Sequence, residues 1–149
     1  MARVKLHRER ARPAMPVYED DLDRLRRLAF EGLYWQDDVE DLLVAISDGG
    51  DLGELSRAGG PYISRYEAMR VELRAVRHPQ LQCYVAALDE VFANHAMLLH
   101  CALDLLAVSW RSERLQEEQS RLGGCGRQGE RLARLTREIK ELAGSRVAG

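Results

Sequence analysis

Apolar residues recur at intervals of three and four along most of this chain, a spacing that places them on one face of an α-helix. The period-two alternation typical of a strand with one buried face is absent from the sequence. Glycine and proline residues divide the helical pattern into segments. The sequence therefore predicts six helices, over residues 19–35, 37–48, 51–58, 61–77, 80–122 and 127–143.

Local signals set the boundaries between these helices. Asp37 and Glu40 have the spacing of a capping box, so a new helix is expected to begin there. The glycine pair at 49–50 supplies a helix stop. A second glycine pair at 59–60 precedes Pro61, which suits the first turn of a helix, so we expect a turn at that point.

The helix predicted over residues 80–122 is the longest, and its apolar residues alternate by four and three like the seam of a coiled coil. The seam consists of Leu81, Val85, Leu88, Phe92, His95, Leu99, Ala102, Leu106 and Ser109. Residues 96–110 are apolar on nearly every side, so this helix is expected at the centre of the fold. We also expect a homodimer, because the seam offers more apolar surface than a few short helices can cover.

The predicted fold is all-α: a compact bundle of short helices packed on one long central helix, with a C-terminal helical hairpin or coiled-coil arm. Residues 1–16 are expected to form a flexible basic arm and residues 17–122 the helical core. Residues 123–149 are expected to form a glycine hinge and a C-terminal amphipathic helix. The apolar face of that helix is narrow, so it requires a partner from the same chain or from a second chain.

The composition is that of a folded domain. Of its 149 residues, 46% are hydrophobic and 31% charged, and the formal net charge is −2. These values exclude wholesale disorder and a uniformly basic coat for nucleic acid. The charge is nevertheless segregated: residues 1–16 carry five basic residues and one glutamate, whereas residues 17–55 carry twelve acids and three arginines. Residues 17–55 are therefore expected to present an acidic surface beside basic segments.

Cysteine usage and hydropathy bear on the compartment. Cys83, Cys101 and Cys125 are odd in number and far apart, which favours a reducing compartment over a disulfide framework or a thiolate zinc site. The N-terminal residues lack the apolar stretch of a secretory signal peptide, and the apolar stretch 96–110 is too short to cross a bilayer. A cytoplasmic location without a transmembrane segment is therefore predicted.

The sequence contains no recognisable catalytic, cofactor-binding or metal-binding set of residues, so we do not expect an enzyme or a cofactor. Zinc-binding motifs and phosphate-binding loops are missing from the sequence. His100 and Asp104 lie four residues apart on one helix face, which the surrounding residues identify as a solvent-facing edge. His95 is interpreted as a hydrogen-bonded core histidine, with a pH-sensitive interface as the alternative.

The function predicted from these features is a non-enzymatic protein-interaction module, such as an adaptor, a chaperone or a regulatory subunit. Its partner is expected to be a protein, with a second copy of the same chain favoured, and not a membrane. The acidic surface and the C-terminal arm would contact that partner. The residues expected at the interface are Leu99, Leu106, Leu115, Leu122, Leu132, Leu135, Ile139 and Leu142.

The alternative function is DNA binding, which is possible but not favoured. Residues 51–77 have the layout of a helix-turn-helix: a short helix, a glycine turn and a longer helix able to enter the major groove. The residues that would contact DNA are Arg57, Ser64, Arg65, Arg70, Arg74 and Arg77. The neighbouring acidic surface would repel DNA unless it faces away.

Overall fold

The computed structural model describes residues 18–109 and 124–148. Over these residues the chain forms four α-helices: α1 (Tyr18–Ser47), α2 (Leu52–Leu73), α3 (Gln82–Ser109) and α4 (Gly126–Ala148). A short 3-10 helix, Pro79–Leu81, leads into α3. The described part of the chain contains no strand, and the prediction of an all-α bundle is confirmed. The predicted arm over residues 1–16 lies outside the described residues.

The four helices enclose one hydrophobic core. The most extensive pairings join α2 to α3 and α1 to α4, while α1 and α3 also pack against each other. The loop before α3 is fixed to the start of α1 by Asp21, a buried carboxylate. Its Oδ2 accepts hydrogen bonds from the backbone N–H groups of Arg77 and His78 at 2.9 and 2.8 Å. A buried carboxylate must be hydrogen-bonded in this way to be tolerated.

The first helix is a single element of 30 residues, so the predicted division near residue 36 is wrong. Buried side chains continue across the expected break, with Leu28 before it and Val39 after it in the same core. Glu40, which was expected to cap a new helix with Asp37, instead accepts a hydrogen bond from the backbone N–H of Cys125 at 2.6 Å. Tertiary packing therefore overrides the local capping signal.

The predicted stop at the end of α1 is confirmed. Gly49 adopts a positive φ of 78°, a conformation that costs glycine little because it has no Cβ. Its N–H donates to the carbonyl of Ile46 at 3.0 Å, and the N–H of Gly50 donates to the carbonyl of Ala45 at 3.4 Å. These two bonds form a Schellman motif, which satisfies carbonyls at the end of the helix.

The second helix also runs without interruption, and the predicted turn at residues 59–60 is wrong. Asp51 caps its start by accepting from the N–H of Glu54 at 2.9 Å, and Pro61 lies inside the helix. Proline in a helix interior costs about 3 kcal/mol relative to alanine. The burial of Tyr66 and other side chains of α2 against α3 outweighs that cost, because packing supplies most helix stability in proteins.

Most of the described residues of the α3 seam are buried within the single chain. Leu88, Phe92, Leu99 and Ala102 have no exposed surface, because α1, α2 and α4 all pack on this helix. The two long helices α1 and α2 cover more of the seam than short helices could. Because these seam residues are already covered within the chain, they no longer favour a homodimer. The homodimer stays a prediction.

The segment Pro79–Val108 is long and apolar enough to cross a membrane, with a mean hydropathy of 1.6 over an 18-residue window. The sequence-based prediction considered only the apolar stretch 96–110, which is shorter than this segment. Of that window, 44% is buried inside the protein. The central helix of a soluble bundle meets the same criteria, so the finding is weak evidence for a membrane span, and the cytoplasmic location stays a prediction.

The last helix, α4, packs against α1 and α3 as the fourth member of the bundle. Leu132, Leu135 and Ile139 on its apolar face are buried in the core shared with the other helices. The sequence left two partners open for this helix, and in this structure its apolar face is covered by the same chain. The residues expected to form the second half of the long helix, 110–123, lie outside the described residues.

Candidate binding site

A groove of about 760 Å³ lies between α1 and α2. We call it the α1–α2 groove, and the residues that line it are Trp35, Asp38, Asp41, Leu42, Arg57, Ala58, Pro61, Tyr62 and Arg65. Its walls follow from helical spacing, because Trp35 and Leu42 are seven residues apart on α1 and Pro61 and Arg65 are four apart on α2. Its volume lies in the range of ligand-binding clefts in proteins.

An aromatic row crosses from the outer face of α1 into this groove. It consists of Phe30, Tyr34, Trp35 and Tyr62, whose successive ring centroids are 6.5, 4.9 and 5.6 Å apart. Phe30 and Tyr34 each expose 64% of their surface, although both are large apolar side chains. Contiguous exposed apolar surface of this kind is typical of sites where proteins bind partners or ligands.

Tyr62 and Asp38 form a polar contact inside the groove. The Tyr62 hydroxyl donates to Oδ2 of Asp38 at 3.0 Å. Partial burial, with the hydrogen bond and charge of Asp38, raises the pKa of Tyr62, so the phenol stays protonated and remains a donor. Asp41, the second carboxylate that lines the groove, forms no ion pair with any residue that the structure describes.

Arg65, which lines the groove, is held in an ion pair. Nε and Nη2 of Arg65 donate to the two carboxylate oxygens of Glu31 at 2.8 and 2.6 Å, a bidentate arrangement. The hydrogen bond from Arg65 is the largest cause that lowers the pKa of Glu31, and the charge of Arg65 adds to it, while partial burial opposes both. A second carboxylate, Glu72, lies 3.4 Å from Arg65. The positive charge of Arg65 is therefore already compensated.

A second cluster of polar side chains lies inside the bundle, where α1 and α3 meet α4. Nε2 of Gln36 donates to the carbonyl of Gly129 at 3.4 Å, which leaves Oε1 of Gln36 to accept from Nε2–H of His95 at 2.9 Å. Nδ1 of His95 is then the unprotonated nitrogen. Burial lowers the pKa of His95 to about 4, although the Val91 carbonyl and Glu40 partly oppose this effect. His95 is therefore the neutral core histidine that the sequence analysis favoured.

Cys125 belongs to the same cluster and is poorly suited to act as a nucleophile. Burial, with the charge and hydrogen bonding of Glu40, raises the pKa of its thiol to about 12. The thiolate is the reactive form of cysteine, so little of it exists at neutral pH. The cluster joins three helices, and Gln36, His95 and Cys125 do not line the α1–α2 groove.

We predict a large difference in cysteine reactivity. In native protein at pH 8, iodoacetamide is expected to modify Cys125 at least about 100-fold more slowly than the exposed Cys83, because Cys125 is buried and its pKa is raised. Peptide mass spectrometry of timed samples gives both rates. In urea the two rates should converge, which is the control. Equal rates in native protein would show that α4 does not hold Cys125 against Glu40.

The leucines and isoleucine expected at a protein interface lie mostly in the core. Leu99, Leu106, Leu132, Leu135 and Ile139 are buried, Leu142 is partly buried against them, and Leu115 and Leu122 lie outside the described residues. They stabilise the single chain, so the described part of that list offers little free surface. The exposed aromatic row lies elsewhere.

The residues of the DNA-binding alternative are not arranged as a helix-turn-helix. Four of them are exposed on or just after α2: Arg57, Ser64, Arg74 and Arg77. The other two are paired with acids, Arg65 with Glu31 and Arg70 with Asp89 at 2.9 Å. Because α2 has no internal turn, it cannot present a separate recognition helix to the major groove.

The remaining candidate chemistry is on the surface. Nε2 of His100 lies 3.5 Å from the carboxylate of Asp104, and both side chains are 68% exposed, as expected for a solvent-facing edge. No group of three or more potential metal ligands occurs within residues 18–109 and 124–148.

Compared with known proteins, the chain matches no family model, no curated protein and no solved structure.

The α1–α2 groove was not predicted from the sequence. Trp35 was expected at the end of one helix, over residues 19–35, and Tyr62 at the start of another, over residues 61–77, whereas a continuous α1 and a continuous α2 bring the two rings together. A usable signal was present, because Phe30 and Tyr34 are large aromatics outside the buried stripe of α1. Apolar residues off the buried face of a helix are candidates for contacts with a partner.

Proposed function

We propose that this protein is a non-enzymatic protein-interaction module, an adaptor, chaperone or regulatory subunit, that holds a segment of a partner protein in the α1–α2 groove. The observation that carries the proposal is the aromatic row. Trp35 and Tyr62 line the groove, and Phe30 and Tyr34 extend the same apolar surface outside it. A small molecule held in the groove would leave Phe30 uncovered. A protein segment can cover both the groove and the apolar surface that Phe30 and Tyr34 form outside it.

The state of the titratable core groups supports a binding role over a catalytic one. His95 has a lowered pKa and is hydrogen-bonded to Gln36, and Cys125 has a raised pKa. A histidine that acts as a general base at neutral pH needs a higher pKa than that of His95, and a cysteine nucleophile needs a lower pKa than that of Cys125. Both groups also need access to a substrate. Aromatic side chains, by contrast, dominate the energetics of protein interfaces.

A peptide-display selection on the full chain tests the proposal. A library of random twelve-residue peptides is selected against the protein, and the affinities of enriched synthetic peptides are measured by isothermal titration calorimetry. Ala58 is an exposed residue that lines the groove, so Ala58→Phe fills part of the groove without removing a core side chain. We expect this variant to bind the enriched peptides at least about tenfold more weakly, because lost apolar contact of this size costs roughly 1–3 kcal/mol.

The matched control is Ala68→Phe, which adds the same side chain at an exposed position of the same helix outside the groove. Its affinity for the peptides should equal that of the unmodified protein. The proposal fails if no peptide is enriched, or if the enriched peptides bind Ala58→Phe and Ala68→Phe equally well. Circular dichroism of both variants confirms that the helices are retained.

A further inference from the structure

The inner part of the α1–α2 groove combines aromatic walls with carboxylates. The rings of Trp35 and Tyr62 have centroids 5.6 Å apart and planes inclined at 66°, so they form two walls that are not parallel. Asp38 and Asp41 line the same groove from α1. Aromatic faces attract cations through the ring quadrupole, and adjacent carboxylates strengthen that attraction.

The charged residues that line the groove are two acids, Asp38 and Asp41, and two arginines, Arg57 and Arg65. Arg65 is already paired with Glu31 and Glu72, so Arg57 alone is left to offset the two acids. Arg57 is then opposed by Asp38 and Asp41, neither of which is in an ion pair with a described residue. The α1 side of the groove belongs to residues 17–55, which hold twelve acids and three arginines, whereas its α2 side lies outside that segment.

These observations lead to one kind of occupant. We infer that the partner segment places an arginine or lysine side chain against the rings of Trp35 and Tyr62, paired with Asp38 and Asp41, while its apolar residues cover the rest of the aromatic row. The inference rests on the proposed function and names the chemistry of the partner. Asp38 has a fixed position for this role, because it accepts the Tyr62 hydroxyl at 3.0 Å.

Trp35 supplies a direct signal for the test. The chain has two tryptophans, Trp35 and Trp110, so Trp110→Phe leaves Trp35 as the single fluorescent tryptophan. Three acetylated and amidated pentapeptides serve as probes. They carry terminal glycines and two leucines around a central arginine, lysine or citrulline, and citrulline has nearly the shape of arginine without its charge.

We expect the arginine and lysine peptides to change the fluorescence of Trp35 with affinities at least about tenfold higher than that of the citrulline peptide. In Asp38→Asn combined with Asp41→Asn, that preference should fall below about threefold, because the ring faces remain and the charges are lost. Sodium chloride at about 0.5 M should reduce the preference in the parent protein by screening. The matched control is Glu141→Gln on α4, an exposed acid outside the groove, which should keep the full preference.

Other outcomes overturn the inference and separate it from the proposed function. If the citrulline peptide binds as tightly as the arginine peptide, or if the display-selected peptides bind the groove without carrying a basic residue, the groove selects apolar segments. The proposed function then stands and the cation inference fails. If neither the pentapeptides nor any displayed peptides bind the groove, the two proposals fail together.

The chain itself contains a competing cationic segment, residues 1–16 with five basic residues and one glutamate. The full-length variant Arg8→Gln, Arg10→Gln, Arg12→Gln tests whether that segment is the occupant. Equal affinities of the arginine peptide for this variant and for the parent protein support an external partner. Binding to the variant alone assigns the groove to the protein's own residues and overturns our inference, as does self-association that Ala58→Phe abolishes.

Discussion

Replacing Gly32 by alanine is expected to lower the free energy of unfolding by about 1–2 kcal/mol. A Cβ at this position of α1 would lie 2.9 Å from Cζ of Phe92 and closer still to Cε1, and the Phe92 ring is fully buried. α1 cannot move away freely, because the Tyr66 hydroxyl donates to the Gly32 carbonyl at 2.7 Å. Overpacking of a core costs about 1–3 kcal/mol, more than the gain of about 1 kcal/mol in helix propensity. Urea denaturation followed by circular dichroism measures the change.

The matched control is Gly144→Ala in α4. An added Cβ there meets no atom within 4 Å, so only the propensity gain remains, and stability should rise by up to about 1 kcal/mol. A Phe92→Leu background supplies a second control, because it frees space beside Gly32 and should reduce the cost of Gly32→Ala. Equal effects of the two glycine substitutions would contradict the close approach of α1 and α3.

The protein is expected to lose about 2–3 kcal/mol of stability between pH 7 and pH 4.5 through His95 alone. Its pKa is about 4 in the folded protein against 6.5 for an unperturbed histidine, so the unfolded chain binds more protons between these values. Stability therefore falls as the pH decreases through this window. Each unit of difference in pKa corresponds to 1.36 kcal/mol. Urea denaturation midpoints at intervals of half a pH unit give the slope.

His95→Gln should flatten this slope, whatever its effect on stability at pH 7, because glutamine does not titrate. The matched control is His100→Gln on the same helix, where the imidazole is exposed and the slope should persist. Glu31 does not confuse the result: its pKa is lowered from 4.5, so its contribution is lost only below that pH. A parent slope that His95→Gln leaves unchanged would show that the histidine is not buried as a neutral group.

The periodic signal of the sequence identified the helical class and the core faces but not where helices end. Leu88 and Phe92 were assigned to the seam of the long helix, and both are buried. The errors arose at positions where a local signal competed with packing. Pro61 is typical of a helix start, and Glu40 is typical of a cap. Burial on both sides of residue 36 nevertheless keeps α1 continuous, and the packing of the residues after Pro61 keeps α2 continuous.

The groove could not be predicted because it depends on those same two positions. Trp35 lies next to the expected break in α1, and Tyr62 follows Pro61 in α2. If the chain formed two short helices at each of these positions, as predicted from the sequence, the orientation of the Trp35 ring relative to the Tyr62 ring would not be fixed. Only the pairing of two continuous helices, which joins residues 27 apart in sequence, brings Trp35 and Tyr62 into contact.

Pro61 also divides α2 into halves of unequal local stability. Proline has no N–H, so the carbonyl of Arg57 lacks its usual helical hydrogen bond. Residues 52–60 are mostly exposed, whereas Tyr66, Met69 and Leu73 in the following half are fully or almost fully buried. Local opening of the first half therefore requires less free energy than global unfolding. Arg57 and Ala58 line the groove from this first half, so its local opening would change the width of the groove.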